Sequence, residues 1–255
     1  MLVAHLSDLH ILETAERPRF DVRFVSLGRR LDARARIESA RAAIAHARAH
    51  GAEHFLFTGD LTETGTVAQF EALARLLHDA GLEPDEVTLV PGNHDRYSAA
   101  NGWVAALEGP LRTYSTNAAK EPGKVVDLGD TVILPVDATF HQPVTRSAGR
   151  LDVEVEEALA TRIGDPHFAA RRVLVAIHHP PHPRPGPWHW VDGLLGGKRL
   201  LAMAAGKSNV TIAHGHLHRH EVREHEGARV IGAAAVVDGA LPLFMGARHE
   251  LAAIA

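Results

Sequence analysis

Short, mainly apolar runs alternate with longer amphipathic segments near the start of this chain. The runs at 3–6, 55–57 and 87–90 have the length and composition of strands. Between them, residues 37–51 and 67–80 place apolar side chains at helical spacing, and a glycine closes each segment. The order strand, helix, strand, helix, strand predicts an α/β fold whose neighbouring strands run parallel.

The rest of the chain continues this alternation and predicts a second sheet. We expect one domain over residues 1–255, built from two packed mixed sheets with helices on both outer faces. The further predicted elements are hairpin strands at 125–128 and 132–136, a helix at 152–163, a strand at 173–177, a helix at 194–205, a strand at 210–212 and a meander of strands over 221–251.

Five polar stretches rich in Asp, Asn and His each follow one of the apolar runs. In an open α/β sheet, ligands collect beyond the carboxyl ends of the strands. We therefore expect the five stretches to meet in one crevice. They are Asp8-Leu9-His10, Gly59-Asp60, Gly92-Asn93-His94-Asp95, His178-His179 and Gly215-His216-Leu217-His218.

The composition limits the chemistry of such a site. The chain has no cysteine, so any metal must be held by oxygen and nitrogen ligands, and disulfides and a cysteine nucleophile are excluded. Its 19 histidines supply the nitrogen. The net charge of −4 argues against general nucleic-acid binding. No secretory signal is visible near Met1, so we expect a cytoplasmic location.

The spacing of these residues suits two adjacent metal ions. Asp8 and His10 stand two residues apart, and on an extended segment they would point to the same side and chelate one ion. His216 and His218 have the same spacing and would behave alike if their segment is extended. Asp60 is a short carboxylate on a predicted turn, suited to bridging two cations about 3.5–4 Å apart.

The five stretches, in this order, resemble the motifs of the calcineurin-like metallophosphoesterase superfamily, which are DxH, GDxxx, GNHD/E, H and GHxH. The match extends from Asp8 to His218. In the wording of its DxH, GNHD and HHPP motifs, the chain is most similar to the small bacterial cyclic-nucleotide and glycerophosphodiester phosphodiesterases. The resemblance implies a four-layer α/β/β/α sandwich, which agrees with the architecture predicted above.

Carried over position by position, the resemblance implies two metal ions that share one carboxylate. One ion would be bound by Asp8, His10, Asp60 and His218. The other would be bound by Asp60, Asn93, His178 and His216. Oxygen and nitrogen ligands of this kind suit manganese, iron or zinc. A hydroxide bridging the two ions would then attack phosphorus in line.

His94 has no ligand role in the family pattern. The resemblance implies that it stabilises charge on the transferring group or protonates the leaving alkoxide. Glu63 stands three residues after Asp60, where relatives often carry an Asp or Asn that orients this histidine. Because Glu is longer than either, Asp95 is the alternative orienting group.

We therefore predict a phosphoesterase acting on a small phosphoester, with a phosphodiester preferred over a monoester. A nucleotide-sugar lipid pyrophosphohydrolase at a membrane surface is the alternative activity. A metal-free scaffold of the same fold is the alternative from another class. None of the seven ligand positions is missing, which argues against the scaffold.

Two segments outside the motifs bear on specificity. The loop 178–190 carries Trp188 and Trp190 among five prolines. It is either a stiff aromatic edge that stacks on a base or covers a lipid, or a surface loop with one buried tryptophan. Residues 17–36 hold seven arginines and two aspartates, a local charge of +5. They could bind a second phosphate of the substrate, contact an anionic membrane surface, or form a solvated loop.

Overall fold

The computed structural model describes residues 1–13, 26, 29–246 and 251–252 of the chain. Residues 17–25 and 27–28 of the basic segment lie outside the described residues, so its membrane contact stays a prediction.

The described strands are β1 Val3–Leu6, β2 His54–Thr58, β3 Val87–Val90, β4 Val126–Asp127, β5 Thr131–Pro135, β6 Gly149–Arg150, β7 Arg172–Ala176, β8 Leu194–Leu195, β9 Val210–His214, β10 Glu221–His225, β11 Ala228–Gly232, β12 Leu243–Met245 and β13 Leu251–Ala252. The described α-helices are α1 Ala33–Ala49, α2 Val67–Asp79, α3 Gly102–Glu108, α4 Val153–Ile163, α5 Trp188–Asp192 and α6 Gly197–Ala204.

Side-chain caps set where the two longest helices begin. Helix α1 begins after Asp32, whose carboxylate accepts a hydrogen bond from the Ala35 amide at 3.0 Å. Helix α2 begins after Thr66, whose hydroxyl accepts a hydrogen bond from the Gln69 amide at 3.3 Å. The predicted start of the first helix at residue 37 is late, because the first turn carries two arginines instead of apolar residues.

The strands form two large mixed sheets, which confirms the predicted arrangement. The first sheet has the order β13-β12-β1-β2-β3, with β1, β2 and β3 parallel and β12 antiparallel to β1. The second has the order β10-β11-β9-β7-β5-β4, and β5, β7, β9 and β11 run parallel. The meander predicted over 221–251 is wrong, because β10 and β11 stay in the second sheet while β12 crosses to the first.

Three buried apolar layers separate four layers of secondary structure. One lies between the first sheet and helices α1 to α3, one between the two sheets, and one between the second sheet and helices α4 and α6. Strand β2 shows how side-chain alternation builds them, because Phe55 and Phe57 face the helices while Leu56 faces the other sheet. The predicted α/β/β/α sandwich is confirmed.

Two further observations concern the helices. The helix predicted at 194–205 is divided, because residues 194–195 form β8, which pairs with β6, and α6 starts only after Gly196. Gly196 has a φ of +97°, a left-handed conformation that separates the two elements. Among the described residues, no helix combines the length and apolar character that crossing a membrane requires.

The strand order brings the polar stretches to one place. Strands β1, β2 and β3 are adjacent and parallel, so the segments that follow them leave the first sheet at the same edge. Strands β7 and β9 are also adjacent and parallel, and the segments after them leave the second sheet together. A hydrogen bond of 2.7 Å between Nδ1 of His178 and the Thr58 carbonyl joins the two edges.

Candidate metal centre

Asp60 lies at the centre of the converging side chains. Its Oδ2 is 3.3 Å from Nε2 of His178, 3.8 Å from Nε2 of His10 and 3.9 Å from Nε2 of His94. Its Oδ1 accepts a hydrogen bond from the His94 amide at 2.9 Å. The ligand atoms of Asp8, Asp60 and His178 lie within 4.8 Å of one another. Imidazoles from three different motifs therefore surround one carboxylate.

Asp8 connects the first and last motifs. Its Oδ1 lies 3.4 Å from Nε2 of His218, and its Oδ2 accepts a hydrogen bond from the His216 amide at 3.1 Å. The ligand atoms of Asp8, His10 and His218 form a second group within 4.8 Å. The first predicted ligand set is thus gathered around two carboxylates.

The second predicted set is gathered on the other side of Asp60. The ligand atoms of His178 and His216 lie within 4.8 Å of each other and of His179. Asn93 is buried and directly precedes His94, whose amide is bonded to Asp60. The structure therefore brings all seven residues predicted as ligands into one site.

Four of these residues bury a polar atom that has no hydrogen-bond partner among the described residues. Buried polar atoms are nearly always paired in folded proteins, because leaving one unpaired is destabilising. Mixed oxygen and nitrogen donors of this kind fit first-row metal ions. The atoms without a hydrogen bond are Oδ1 of Asp8, Nε2 of His10, Oδ1 of Asn93 and Nε2 of His178. Of these, Oδ1 of Asp8 and Nε2 of His178 lie within ion-pair distance of His218 and Asp60.

The other nitrogen of three ligand imidazoles is held by an oxygen acceptor. Such a bond fixes the tautomer and orientation of a ring and leaves its opposite nitrogen to bind metal. The bonds run from Nδ1 of His178 to the Thr58 carbonyl at 2.7 Å, from Nε2 of His216 to the Asp192 carbonyl at 3.2 Å, and from Nδ1 of His218 to Oδ2 of Asp238 at 2.8 Å.

The ligand segments have a left-handed backbone conformation. The φ angle is +55° at Asp8, +49° at His10, +48° at Asp60, +69° at His216 and +52° at His218. These are five of the six non-glycine residues with positive φ among those described. Each costs about 1–3 kcal/mol unless its surroundings hold it. The prediction that Asp8 and His10 lie on an extended segment is therefore wrong, and the condition of an extended segment is not met for His216 and His218 either.

Main-chain bonds between motifs hold this conformation. The Asp8 amide donates to the Gly59 carbonyl at 3.0 Å, and the His10 amide donates to the Asp60 carbonyl at 2.9 Å. The segment after β1 therefore runs beside the segment after β2 beyond the end of both strands. The bonds that stabilise the strained residues come from a neighbouring motif, not from adjacent residues in the sequence.

Two motif glycines make room for ligands of other motifs. A Cβ atom on Gly92 would collide with the amide and carboxylate of Asp60. A Cβ atom on Gly215 would collide with the side chains of Ser7 and Asp8. Both glycines therefore allow ligand-bearing segments to approach more closely than any larger residue would.

Burial and charge act in opposite directions on the pKa values of the ligands. Burial would raise the pKa of Asp60, but His178, His94 and His10 hold it well below its usual range. Burial would lower the pKa of His178, but the carboxylates of Asp60 and Asp8 raise it to about 9. The buried carboxylates of Asp8 and Asp60 therefore strongly stabilise positive charge in the site.

His94 approaches the same carboxylate, but its ring is held by the main chain of Glu63. Its Nδ1 donates to the Glu63 carbonyl at 2.7 Å, which leaves Nε2 on the side of the site, 3.9 Å from Oδ2 of Asp60. The Glu63 carboxylate is farther away, with Oε1 at 3.8 Å from Nδ1. Glu63 therefore holds the His94 ring through its carbonyl, and an orienting role of its side chain stays a prediction.

The Glu63 carboxylate instead forms a buried ion-pair network next to His10, one of the predicted metal ligands. It pairs with Arg36, and its Oε1 lies 3.1 Å from Nη2 of Arg29. Its Oε2 lies 3.4 Å from Nδ1 of His10. Burial would raise the pKa of Glu63, but His10, His94 and Arg29 hold it well below its usual range. The Glu63 carboxylate thus faces Nδ1 of the His10 ring, the nitrogen opposite the one that points to Asp60.

Asp95 joins two motif segments, and its hydrogen bonds do not include the His94 ring. The alternative prediction, that Asp95 orients His94, is therefore wrong. Burial and the charge of Asp60 raise the pKa of Asp95 to about 7, against the effect of its donors. Those donors are the Leu61 amide at 3.1 Å, the Thr62 amide at 2.8 Å, the Thr62 hydroxyl at 2.7 Å and the Gly92 amide at 2.8 Å.

Sequence reasoning missed the residues that hold the ligands from behind. Tyr97 is one of them, because its hydroxyl accepts a hydrogen bond from Nδ2 of Asn93 at 2.8 Å. Its position shortly after the GNHD motif was the available signal. Asp192 and Asp238, which hold His216 and His218, carry no motif and no regular spacing that would reveal them.

Comparison with known proteins agrees with this site. Residues 1–220 match the family model described as calcineurin-like phosphoesterase. A relative from Vesicomyosocius okutanii subsp. Calyptogena okutanii (strain HA), named "Probable cyclic nucleotide phosphodiesterase", is 23% identical over 177 residues. The match covers 69% of this chain, and the chain spans 66% of the length of that relative.

Solved structures share the fold over nearly the whole chain. A dimetal phosphatase from Danio rerio superposes with a TM-score of 0.62 at 13% identity, covering 95% of this chain and 91% of that one. The protein TT1561 of Thermus thermophilus gives a TM-score of 0.60 at 11% identity, covering 98% and 96%. At these identities the likeness establishes the fold.

The sandwich and its cluster of carboxylates and imidazoles fit a metal-dependent phosphoesterase. The family match covers most of the chain and includes every predicted ligand. The chain belongs to the calcineurin-like phosphoesterases, a family of metal-dependent hydrolases of phosphoric esters. The ligand clusters are compatible with the two metal ions that such enzymes use.

Proposed function

We propose that the chain hydrolyses small phosphodiesters of the cyclic-nucleotide or glycerophosphodiester type. The observation that carries this proposal is the convergence of His10, His94 and His178 on the Asp60 carboxylate. This cluster combines a cation site with one imidazole, that of His94, to which the family pattern gives no ligand role and which is proposed to act on a substrate. The arrangement suits transfer of a phosphoryl group to water.

Two ions, of manganese, iron or zinc, are proposed to occupy the two ligand sets. When bound, such ions would polarise the phosphoryl oxygens and lower the pKa of a bound water toward neutrality. The protein contributes rigid ligands, held by the bonds behind their rings. The first set is Asp8, His10, Asp60 and His218, and the second is Asp60, Asn93, His178 and His216.

His94 is proposed to give a proton to the leaving alkoxide. Its Nδ1 hydrogen is committed to the Glu63 carbonyl, so Nε2 is the atom that can transfer a proton. Nε2 lies 3.9 Å from Oδ2 of Asp60 and therefore flanks the position of a bound phosphoryl group. An alkoxide is a poor leaving group, so this proton transfer lowers the barrier for cleavage of an alkyl phosphoester.

Two observations support a diester over a monoester. The relative that matches 69% of the chain is named as a cyclic nucleotide phosphodiesterase. In addition, Arg29 and Arg36 beside the ligands are both ion-paired with Glu63. Their charge is already offset, so it is less available to the second negative charge of a monoester.

The pyrophosphohydrolase alternative depended on the basic segment 17–36. In the described part of that segment, Arg29 and Arg36 turn toward Glu63. Arg36 is only 3% exposed, so it does not contribute to a basic surface. These contacts give the alternative no support, and contact of residues 17–25 with an anionic membrane stays a prediction.

Hydrolysis of bis(p-nitrophenyl) phosphate and of p-nitrophenyl phosphate, combined with metal analysis, tests the proposed function. We expect bound metal, turnover stimulated by Mn²⁺, and a higher kcat/KM for the diester. Turnover of the monoester alone would reject the diester assignment. A folded chain that binds no metal and hydrolyses neither ester would reject the enzyme and favour the scaffold.

Two substitutions separate the roles of the residues. Because His94 is proposed to protonate an alkoxide and to hold no metal, His94→Ala should lower kcat for an alkyl diester such as glycerophosphoglycerol by about 10²–10⁴-fold while metal content is unchanged. Because Asp60 contributes to both ligand sets, Asp60→Ala should lose metal and activity together. Equal loss of metal in the two variants would contradict these separate roles.

A further inference from the structure

Helix α5 and the loop after β5 lie directly beside two predicted ligands. The Asp192 carbonyl at the end of α5 is bonded to Nε2 of His216 at 3.2 Å. In the loop, the Arg146 carbonyl accepts a hydrogen bond from the Tyr97 hydroxyl at 3.4 Å, and that hydroxyl accepts one from Asn93 at 2.8 Å. Both elements therefore border the second ligand set.

Phe140, Arg146 and Trp190 form a stack at this border, which we call the aromatic platform. The guanidinium carbon of Arg146 lies 4.4 Å from the ring centroid of Trp190 and 5.1 Å from that of Phe140. Nε of Arg146 also donates to the Trp190 carbonyl at 2.9 Å. Cation–π contacts and this hydrogen bond fix the indole and the guanidinium relative to each other.

Main-chain bonds make the platform part of a rigid frame. The Ser147 amide donates to the Val191 carbonyl at 2.9 Å, and the Gly149 amide donates to the Gly193 carbonyl at 3.0 Å. The Ser147 carbonyl is bonded to Nε2 of buried His179 at 2.8 Å. The loop and α5 therefore keep a fixed position relative to the ligands.

The platform offers an aromatic surface beside an unneutralised charge. Trp190 is 61% exposed, although tryptophan is usually well buried. Among the described residues, no carboxylate forms an ion pair with Arg146, whose contacts are the two rings and the Trp190 carbonyl. An exposed indole and a guanidinium thus belong to the two elements whose main chains border the second predicted ligand set.

We propose that the aromatic platform binds the nucleobase of a nucleotide substrate, stacked on Trp190. This inference rests on the proposed phosphodiesterase function and selects its substrate class. A base presents a π surface that stacks on an aromatic side chain, which typically changes affinity by about tenfold or more. The Arg146 guanidinium adds donors for the acceptor atoms of the base. A glycerophosphodiester has no ring to use this surface.

Trp188 provides a matched control in the same helix. It is 59% exposed, against 61% for Trp190. Two residues apart on a helix, side chains point about 200° away from each other. The guanidinium of Arg146 stacks on Trp190, which places the platform on that side of the helix. Both alanine variants therefore remove a similar exposed ring, and only one of them removes the platform.

Steady-state kinetics on two diesters tests the inference. The probes are adenosine 3′,5′-cyclic monophosphate, which has a base, and glycerophosphoglycerol, which has none. For Trp190→Ala we expect KM for the cyclic nucleotide to rise about tenfold while KM for glycerophosphoglycerol changes by less than about twofold. Trp188→Ala should leave KM for both probes as it is in the unsubstituted chain. Equal effects of Trp190→Ala on both probes, or equal effects of the two variants, would overturn the inference.

A binding experiment separates this inference from the proposed function. Adenosine 5′-monophosphate and glycerol 3-phosphate are both monoesters, so their affinity reports base recognition even in a chain that hydrolyses no diester. Trp190→Ala should weaken binding of the nucleotide alone. Equal weakening for both ligands would reject the base site even in an active phosphodiesterase. Weaker binding to phosphatidylglycerol vesicles, with nucleotide affinity unchanged, would assign the platform to a lipid surface and reject the inference.

Discussion

Tyr97 determines which end of the Asn93 amide faces the ligand cluster. The Arg146 carbonyl can only accept, so the Tyr97 hydroxyl gives its hydrogen to that carbonyl and must accept from Asn93. The Asn93 amide therefore turns its NH₂ group to Tyr97, which leaves Oδ1 buried and unpaired on the side of the metals. Burial raises the pKa of Tyr97, so the hydroxyl keeps the hydrogen on which this order depends.

Removing this hydroxyl should weaken the second metal site. In Tyr97→Phe the Asn93 amide is free to turn its NH₂ group toward the cation, and we expect affinity for the second ion to fall by about tenfold or more. Calorimetric titration of metal-free protein with Mn²⁺ measures this change. Tyr114→Phe is the control, because that hydroxyl bonds the Leu82 carbonyl at 3.1 Å, away from the site. Equal affinities in both variants would contradict the role of Tyr97.

Arg36 brings a positive charge into the core beside His10. Its side chain is 3% exposed, pairs with Glu63 and donates to the His10 carbonyl at 2.7 Å. Its Nη2 also donates to the Arg30 carbonyl at 3.0 Å. Arg36 and Glu63 therefore hold His10 from two directions, one through the carbonyl and the other through the ring.

Breaking this pair should destabilise the whole chain. Arg36→Met leaves the Glu63 carboxylate buried with less compensation, and we expect the free energy of unfolding to fall by about 3–5 kcal/mol. Urea denaturation measures the change. Arg34→Met on the same helix is the matched control, because Arg34 is exposed and pairs with Glu38 on the surface, so its urea midpoint should not move. A comparable loss in both variants would show that burial of the Arg36 pair is not the cause.

At the level of elements, strands could be predicted more accurately than the segments that follow them. Strands β1 and β3 occupy 3–6 and 87–90 as predicted, because their side chains are buried on both faces and read as continuous apolar runs. The left-handed conformation of Asp8 could not be predicted, because the Gly59 carbonyl that helps to hold it lies far along the chain. Contacts between motifs override the local preference for an extended segment.

The same distinction applies within the site. The convergence of residues such as Asp60 and His178 could be predicted, because their order follows the strands. The group that orients His94 could not, because it is the carbonyl of Glu63, which every residue type offers equally. Asp192 could not be predicted from the sequence for a related reason, because it contacts His216 through its main-chain carbonyl.

The close approach of two segments at Gly215 allows a prediction at this level. Gly215→Ala places a Cβ atom against Ser7 and Asp8, so we expect Asp8 to be displaced and metal content to fall. Metal analysis of the purified variant measures this, with circular dichroism to confirm folding. Gly246→Ala is the control, because its nearest neighbour would be Leu2 at 3.5 Å, an ordinary contact. Unchanged metal content in a folded Gly215→Ala variant would argue against this steric role.

In the whole molecule, the candidate metal centre lies where the two sheets meet. The first sheet contributes Asp8, Asp60 and Asn93 from the ends of its parallel strands, and the second contributes His178 and His216. Neither sheet holds a complete ligand set. An unfolded chain does not bring the sets together, so bound metal should favour the folded state and link the stability of one sheet to that of the other.

This arrangement predicts that metal raises the unfolding temperature of the molecule in one step. At a free ion concentration of about 100 times Kd, binding adds about 2.7 kcal/mol, which for a chain of this size raises Tm by roughly 5–10 °C. Differential scanning calorimetry with Mn²⁺ and with a chelator measures the shift, and Asp60→Ala should show none because it lacks the carboxylate shared by both sets. Two separate transitions, of which Mn²⁺ moves only one, would contradict a site that joins the sheets.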